Sequence, residues 1–169
     1  MDTVPYVPNR KESIVTTTAD SPTSDSADAP ALRSLAIIIR EGSYDRILTP
    51  LAFAYMAAAS EVKVDMLFVN WAVRAVMQGE SEKLPMSAEH ADEFEYVRTQ
   101  VAAAGLPPEI SDIIGAIKAT GNVNMYVCSL AAQIFGADAD NVLPQVDEIV
   151  GATWFLTAKA NNADLLQCF

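Results

Sequence analysis

The chain predicts an α/β domain built as a three-layer sandwich, with a mostly parallel sheet of four to five strands and helices on both faces. Three observations carry this. Strand-like runs alternate with helical patterns, which implies right-handed crossovers between parallel strands. The first run, Leu35-Ala36-Ile37-Ile38-Ile39, is apolar at every position, as a strand buried on both faces must be. The chain has 169 residues, the length of one ordinary domain with one core.

The elements follow in order. Residues 1–33 are rich in Ser, Thr, Asp and Pro (TTTADSPTSDSADAPA) and hold too few large apolar groups to offset the entropy of ordering, so they read as a flexible N-terminal arm. The apolar start Val4-Pro5-Tyr6-Val7-Pro8 adds the alternative of a strap across a neighbouring subunit. The folded part, residues 34–169, opens with the Leu35–Ile39 strand and turns at Arg40-Glu41-Gly42-Ser43. A helical pattern runs to about Ser60, where Pro50 either occupies a first turn capped by Thr49 or kinks a helix begun near Asp45. Val62 to Val69 is the second strand, and Ala72 to Met77 a short helix stopping at Gly79. Ala91, Phe94, Val97, Val101 and Ala104 recur at helical spacing, which predicts one amphipathic helix from an N-cap at Ser87 to a stop at Gly105. After Pro107-Pro108, Ile110, Ile113, Ile114 and Ile117 line one face of the next helix. Val123 to Cys128 is a third strand, running directly into a helix over Ser129 to Phe135. Gly136 to Val146 reads as loop, Asp147 to Asn161 as the last helix and Asp164 to Phe169 as the last strand.

Bulk composition narrows the function. A net charge of -11 repels nucleic-acid phosphates and anionic membrane surfaces, so no nucleic-acid partner is expected. Hydrophobic content is high at 51%, yet no stretch approaches the ~18 uninterrupted apolar residues of a membrane span. Sealed subunit interfaces account for the excess, so a homo-oligomer is expected. Two cysteines, Cys128 and Cys168, are too few for a disulfide framework and lack the clustering of a zinc or iron–sulfur site. No metal is expected, and a reducing, cytoplasmic setting fits; the acidic N-terminus does not resemble a transit peptide. Glu41-Gly42-Ser43-Tyr44 has one glycine and no following Lys-Ser/Thr pair, unlike a phosphate loop, so no nucleotide cofactor is expected. His90, the one histidine, and Asp92, Glu93 and Glu95 read as the wet face of the middle helix.

In a parallel sheet the reactive crevice lies beyond the carboxyl ends of the strands. That rule selects Gly42 and Ser43, Asn70 and Trp71, and Cys128 and Ser129. Cys128 stands where a strand becomes a helix, so backbone N–H groups and the positive end of the helix dipole favour its thiolate. A nucleophilic thiol follows, although position alone suits a small buried hydrophobe as well. No cation lies within several residues of it, which argues against peroxide chemistry. Trp71 could roof the pocket or simply pack in core or interface. Asn70 and Ser129 could bind a carried sulfur or sulfonate oxygen, with helix capping the plain alternative for Ser129. Cys168, in the last strand, is an inert strand residue or an accessory, resolving thiol.

The segment Gly121-Asn122-Val123-Asn124-Met125-Tyr126-Val127-Cys128-Ser129-Leu130, followed by Phe135-Gly136, resembles the active-cysteine strand and helix of the DsrE/DsrF/DsrH-like sulfur-relay family. Ile37-Ile38-Ile39 with Gly42-Ser43-Tyr44-Asp45, Val62 to Trp71, and Val150 to Leu156 with Ala163-Asp164 resemble its other elements. The helical stretch around residues 84–106, read as an insertion, is most similar to the larger, DsrE2- and DsrE3-like branches. Val69-Asn70-Trp71-Ala72 departs from the Phe-Trp-Gly-like turn common in relatives. The resemblance implies a Rossmann/flavodoxin-like fold and a sulfur carrier or sulfurtransferase that holds persulfide or thiosulfonate on Cys128. It also implies rhodanese-like and TusA-like partners, in sulfur oxidation or tRNA thiolation, and homo-oligomers, often trimers or multiples. A non-catalytic scaffold of the same fold and a two-thiol redox sensor are the rival readings.

Overall fold

A computed structural model describes residues 31–169, so the expected arm lies outside the described residues as far as residue 30. Five parallel strands form one sheet in the order β4-β3-β2-β1-β5. They are β1 (Ser34–Ile39), β2 (Lys63–Phe68), β3 (Val123–Cys128), β4 (Glu148–Val150) and β5 (Leu165–Cys168). The helices are α1 (Tyr44–Ala59), α2 (Phe94–Ala103), α3 (Ile110–Ala119), α4 (Ser129–Phe135) and α5 (Ala152–Ala158).

The core forms around the middle strands. Ile37, Ile39, Met66, Phe68 and Met125 are completely buried, together with Ile114 and Ile117 of α3 and Ile47 and Leu51 of α1. Alternation along the strands sorts the two faces. Asp65, Tyr126 and Cys168 share one face, by the pairs Asp65↔Asn124, Leu67↔Tyr126 and Ile38↔Cys168. On that face lies α5, with Trp154 and Phe155 set edge-on to Tyr126 at 5.4 and 5.9 Å and Lys159 paired to Asp65 at 3.0 Å. The β4-to-β5 connection crosses the whole sheet in the reverse direction, which is why a right-handed crossover puts α5 there. The opposite face takes α1, whose Phe53 meets Phe169 at 5.6 Å, and α3 beside it.

The structure revises several elements. Pro50 lies inside α1, in its second turn, where it removes an N–H that Arg46 would otherwise accept. The expected Ala72 to Met77 helix is a 3-10 segment, Asn70–Val76. The middle helix is broken: Ala88–Glu93 is 3-10, interrupted at His90, and only Phe94–Ala103 is α. Ser87 does not cap it, because its hydroxyl and its N–H both donate to Asp45, at 2.6 and 2.8 Å. The expected last helix begins at Ala152, since Glu148–Val150 pairs with β3 instead. Asp147 holds that segment in place, accepting from the Met125 N–H at 2.8 Å and from Lys118.

Candidate functional site

Three turns define the carboxyl edge of the sheet, and two of them touch. Gly42, between β1 and α1, lies so close to the turn after β2 that a Cβ on it would sit 2.5 Å from the Trp71 carbonyl oxygen. Only a glycine permits that approach. Ser43 is the N-cap of α1 by backbone conformation, but its Oγ is buried without a hydrogen-bond partner among the described residues. Asn70 opens the second turn in the left-handed region at φ 50, a conformation that Asn tolerates better than most residues, and its side chain is exposed. Neither Trp71 nor Phe135 stands alone: their rings meet at 4.9 Å, which ties the second turn to the far end of α4.

Cys128 closes β3 and is itself the N-cap of α4, with φ -67 and ψ 124, so strand becomes helix without an intervening loop. It pairs with Val150 and lies one step past the Phe68↔Val127 pair, beside Val69 and hence next to the Asn70 turn. Only 7% of the residue is exposed. Ser129 is the first residue of α4, half-buried, so the capping explanation for it does not hold. At the other end, Gly136 takes φ 71 and stops α4 after seven residues.

The topology thus brings Gly42, Ser43, Asn70 and Trp71 together beside the β3 end that carries Cys128 and Ser129. It leaves Cys168 apart. Cys168 is exposed on β5, and β1 and β2 stand between β5 and β3. Three inter-strand spacings amount to roughly 14 Å, twice the Cα separation that a disulfide spans. A resolving role toward Cys128 of the same chain is therefore corrected by the fold. The Trp71 ring packs against Phe135, two helical turns along α4 from the cysteine.

Asp45 is a residue that sequence reasoning did not single out. Burial pushes its carboxyl up, but hydrogen bonds from the Ser87 hydroxyl and N–H outweigh this and hold it below the usual carboxylate range. Together with the Tyr44 N–H donating to the Pro85 carbonyl at 2.8 Å, this fastens the Gly42 turn to the segment before α2. Nothing in the spacing of Asp45 and Ser87 announces the pair. A separate apolar hollow of about 570 Å³ lies between α1, α2 and α3, lined by Leu48, Tyr55, Met56, Val101, Leu106 and Ile113 among others. None of the candidate site residues lines it, and neither cysteine is among its lining residues.

Among the described residues no group of three or more His, Cys, Asp or Glu is placed to hold a metal ion, and no helix is long and apolar enough to cross a membrane. The arrangement supplies one thiol at a strand–helix junction, backbone N–H groups beside it, and a rigid pair of turns next door. Such a site can form and break a bond to sulfur at Cys128 without a second protein thiol of its own chain.

The model of the DsrE/DsrF-like family matches residues 33–167. A solved structure of protein MTH1491, of unknown function, from Methanobacterium thermoautotrophicum is similar, at 13% identity over 80% of this chain and 98% of that one, with a TM-score of 0.49. No curated protein matches the chain.

Proposed function

Because this chain belongs to the DsrE/DsrF-like family, we propose that it is a sulfur carrier, holding a sulfane sulfur on Cys128 and relaying it between partner proteins. The observation that carries the reading is the position of Cys128: the end of a central strand, N-cap of α4, and beside the paired Gly42 and Trp71 turns. Cys128 thiolate attacks the terminal sulfur of a donor persulfide. One S–S bond forms on Cys128, the donor's S–S bond breaks, and the donor thiolate leaves and takes up the proton that Cys128 gave up. Oxidation states balance, so no oxidant or cofactor is needed. Handing the sulfur on repeats the step with an acceptor thiol as nucleophile.

The other candidates take supporting roles. Backbone N–H groups at the start of α4, with the hydroxyl of Ser129, stabilise the anionic cargo, whether persulfide or thiosulfonate. Gly42, Ser43, Asn70 and Trp71 shape the neighbouring wall. Donor and acceptor are rhodanese-like and TusA-like proteins, the setting is cytoplasmic, and the chain works as a homo-oligomer, a trimer or a multiple of one.

Intact-mass measurement on the Cys168→Ser protein tests this, with glutathione persulfide as donor and a protein thiol as acceptor. The expected result is the mass of one added sulfur, lost again on transfer, and no gain in the Cys128→Ser, Cys168→Ser double variant. A second reading, a non-catalytic subunit in which Cys128 only packs, draws on its burial. Failure of the Cys168→Ser protein to gain sulfur from any persulfide donor would decide for that reading.

A further inference from the structure

Alternation along β3 sets the side chains of Asn124, Tyr126 and Cys128 on one face of the sheet, the face that carries α5. The connections holding α1 to α4 all run the same way across the sheet, so right-handed crossovers put those helices on the other face. Among the described residues α5 is therefore the one α-helix above the thiol. It starts from Gly151, directly after Val150, the β4 partner of Cys128. From there it descends the face: Trp154 and Phe155 meet the Tyr126 ring at 5.4 and 5.9 Å, and Lys159 reaches Asp65, the β2 partner of Asn124, at 3.0 Å. At about 1.5 Å per residue of helix and about 3.3 Å per residue of strand, those two levels bring the first turn of α5 over Cys128. Such a cover accounts for a strand-end cysteine that is only 7% exposed.

α5 has little of its own to hold it there. Its seven residues fall well short of the ~12–15 at which a lone helix becomes marginally stable in water. Gly151 offers no side chain to cap it, its first turn holds no acidic residue and its last turn no basic one. Six of the seven residues are exposed, and Phe155 alone is buried. What fastens the helix is a short row of contacts to the strands beneath. Trp154 and Phe155 pack on Tyr126, and Lys159 pairs with Asp65 Oδ1, which also accepts from Asn124 Nδ2 at 2.9 Å. Lys159 Nζ stands 5.3 Å from the centroid of the Tyr126 ring as well. An element held at so few points opens locally while the rest of the fold stays intact.

We propose that α5 is the gate of the Cys128 thiol, opening as a unit from the sheet to admit a sulfur donor or acceptor and closing over the loaded cysteine, with the Lys159–Asp65 pair as its latch. The purpose of the gate rests on the sulfur-carrier reading: a closed helix keeps a persulfide from small thiols between donor and acceptor. Access itself is a property of the thiol, and it can be measured with no sulfur present.

The test is the rate at which iodoacetamide alkylates Cys128 in the folded Cys168→Ser protein, followed by intact mass. Leu156→Gly weakens α5 at an exposed position in mid-helix and should speed alkylation about fivefold. Lys159→Met removes the latch and should speed it about threefold or more. Ile114→Val, in α3 on the other face, lowers global stability by a comparable amount and should leave the rate within about twofold, since global unfolding is not the route. A rate within about twofold of the parent for either α5 variant would overturn the gate. So would an Ile114→Val protein alkylated as fast as those variants, which makes the opening global, or a parent alkylated as fast as glutathione, which leaves nothing closed. With glutathione persulfide as donor, faster sulfur loading of Lys159→Met than of its parent supports the same gate. No loading of either protein, with alkylation gated as expected, overturns the carrier reading alone.

Discussion

The middle of the sheet and its flanks are built differently, and each ends in one of the two cysteines. β1, β2 and β3 are six residues each and nearly continuous in burial, whereas β4 has three residues and β5 has four, with Leu165, Leu166 and Cys168 exposed. Cys128 therefore stands in a wall made of neighbouring strands and their turns, and Cys168 stands at an edge with one neighbouring strand. Two residues of the same chemistry are separated in position and exposure by topology alone. The lesson concerns position: in a parallel sheet a thiol's candidacy depends on how many strand ends surround it.

That contrast can be broken in order of expected effect. Phe68→Ala, at a fully buried position of β2, should cost about 3–5 kcal/mol in denaturant unfolding. A loss below about 1 kcal/mol would mean that the middle strands do not dominate the core. Gly42→Ala, which forces a Cβ onto the Trp71 carbonyl, should cost roughly 1–3 kcal/mol and is read by the same titration. A neutral outcome would show that the two turns separate freely.

Ser87→Ala removes both the hydroxyl bond to Asp45 and its support of the Gly42 turn, for about 1–2 kcal/mol near neutral pH. Its pH dependence has a definite sign. A carboxyl depressed in the folded state stabilises fully above its unfolded pKa of ~3.9 and loses that contribution as pH falls through the folded value. Unfolding measured from neutral pH down through that window should show the parent losing more stability than Ser87→Ala, so that the two curves converge in acid. Parallel curves would contradict the Asp45 assignment. On the flank, Cys168→Ser should change stability by no more than about 0.5 kcal/mol, as expected for an exposed edge position.

The same contrast governs what could be read from the amino-acid order. Ile37-Ile38-Ile39 and Val123 to Cys128 announce themselves because burial on both faces demands unbroken apolar runs, and the all-parallel, five-stranded arrangement follows from the helical patterns between them. Glu148–Val150 does not, because three residues carry no periodicity and the apolar residues of 149–156 suit a helix equally well. Selection of Gly42, Trp71 and Cys128 by the strand-end rule needed only topology. Why Gly42 must be glycine, that Ser87 serves Asp45 instead of a helix end, and that Trp71 turns to Phe135 all depend on contacts between segments distant in sequence. No local pattern encodes them.

The central claim, that the sheltered thiol of the middle strands and not the flank thiol keeps the sulfur, is tested most directly by peptide-resolved mass spectrometry of the wild-type chain. The protein is loaded with persulfide donor and then washed with excess small thiol. Sulfur retained on the Cys128 peptide and stripped from the Cys168 peptide is the result expected from their burial. Sulfur retained on Cys168, with none ever found on Cys128, would contradict the account.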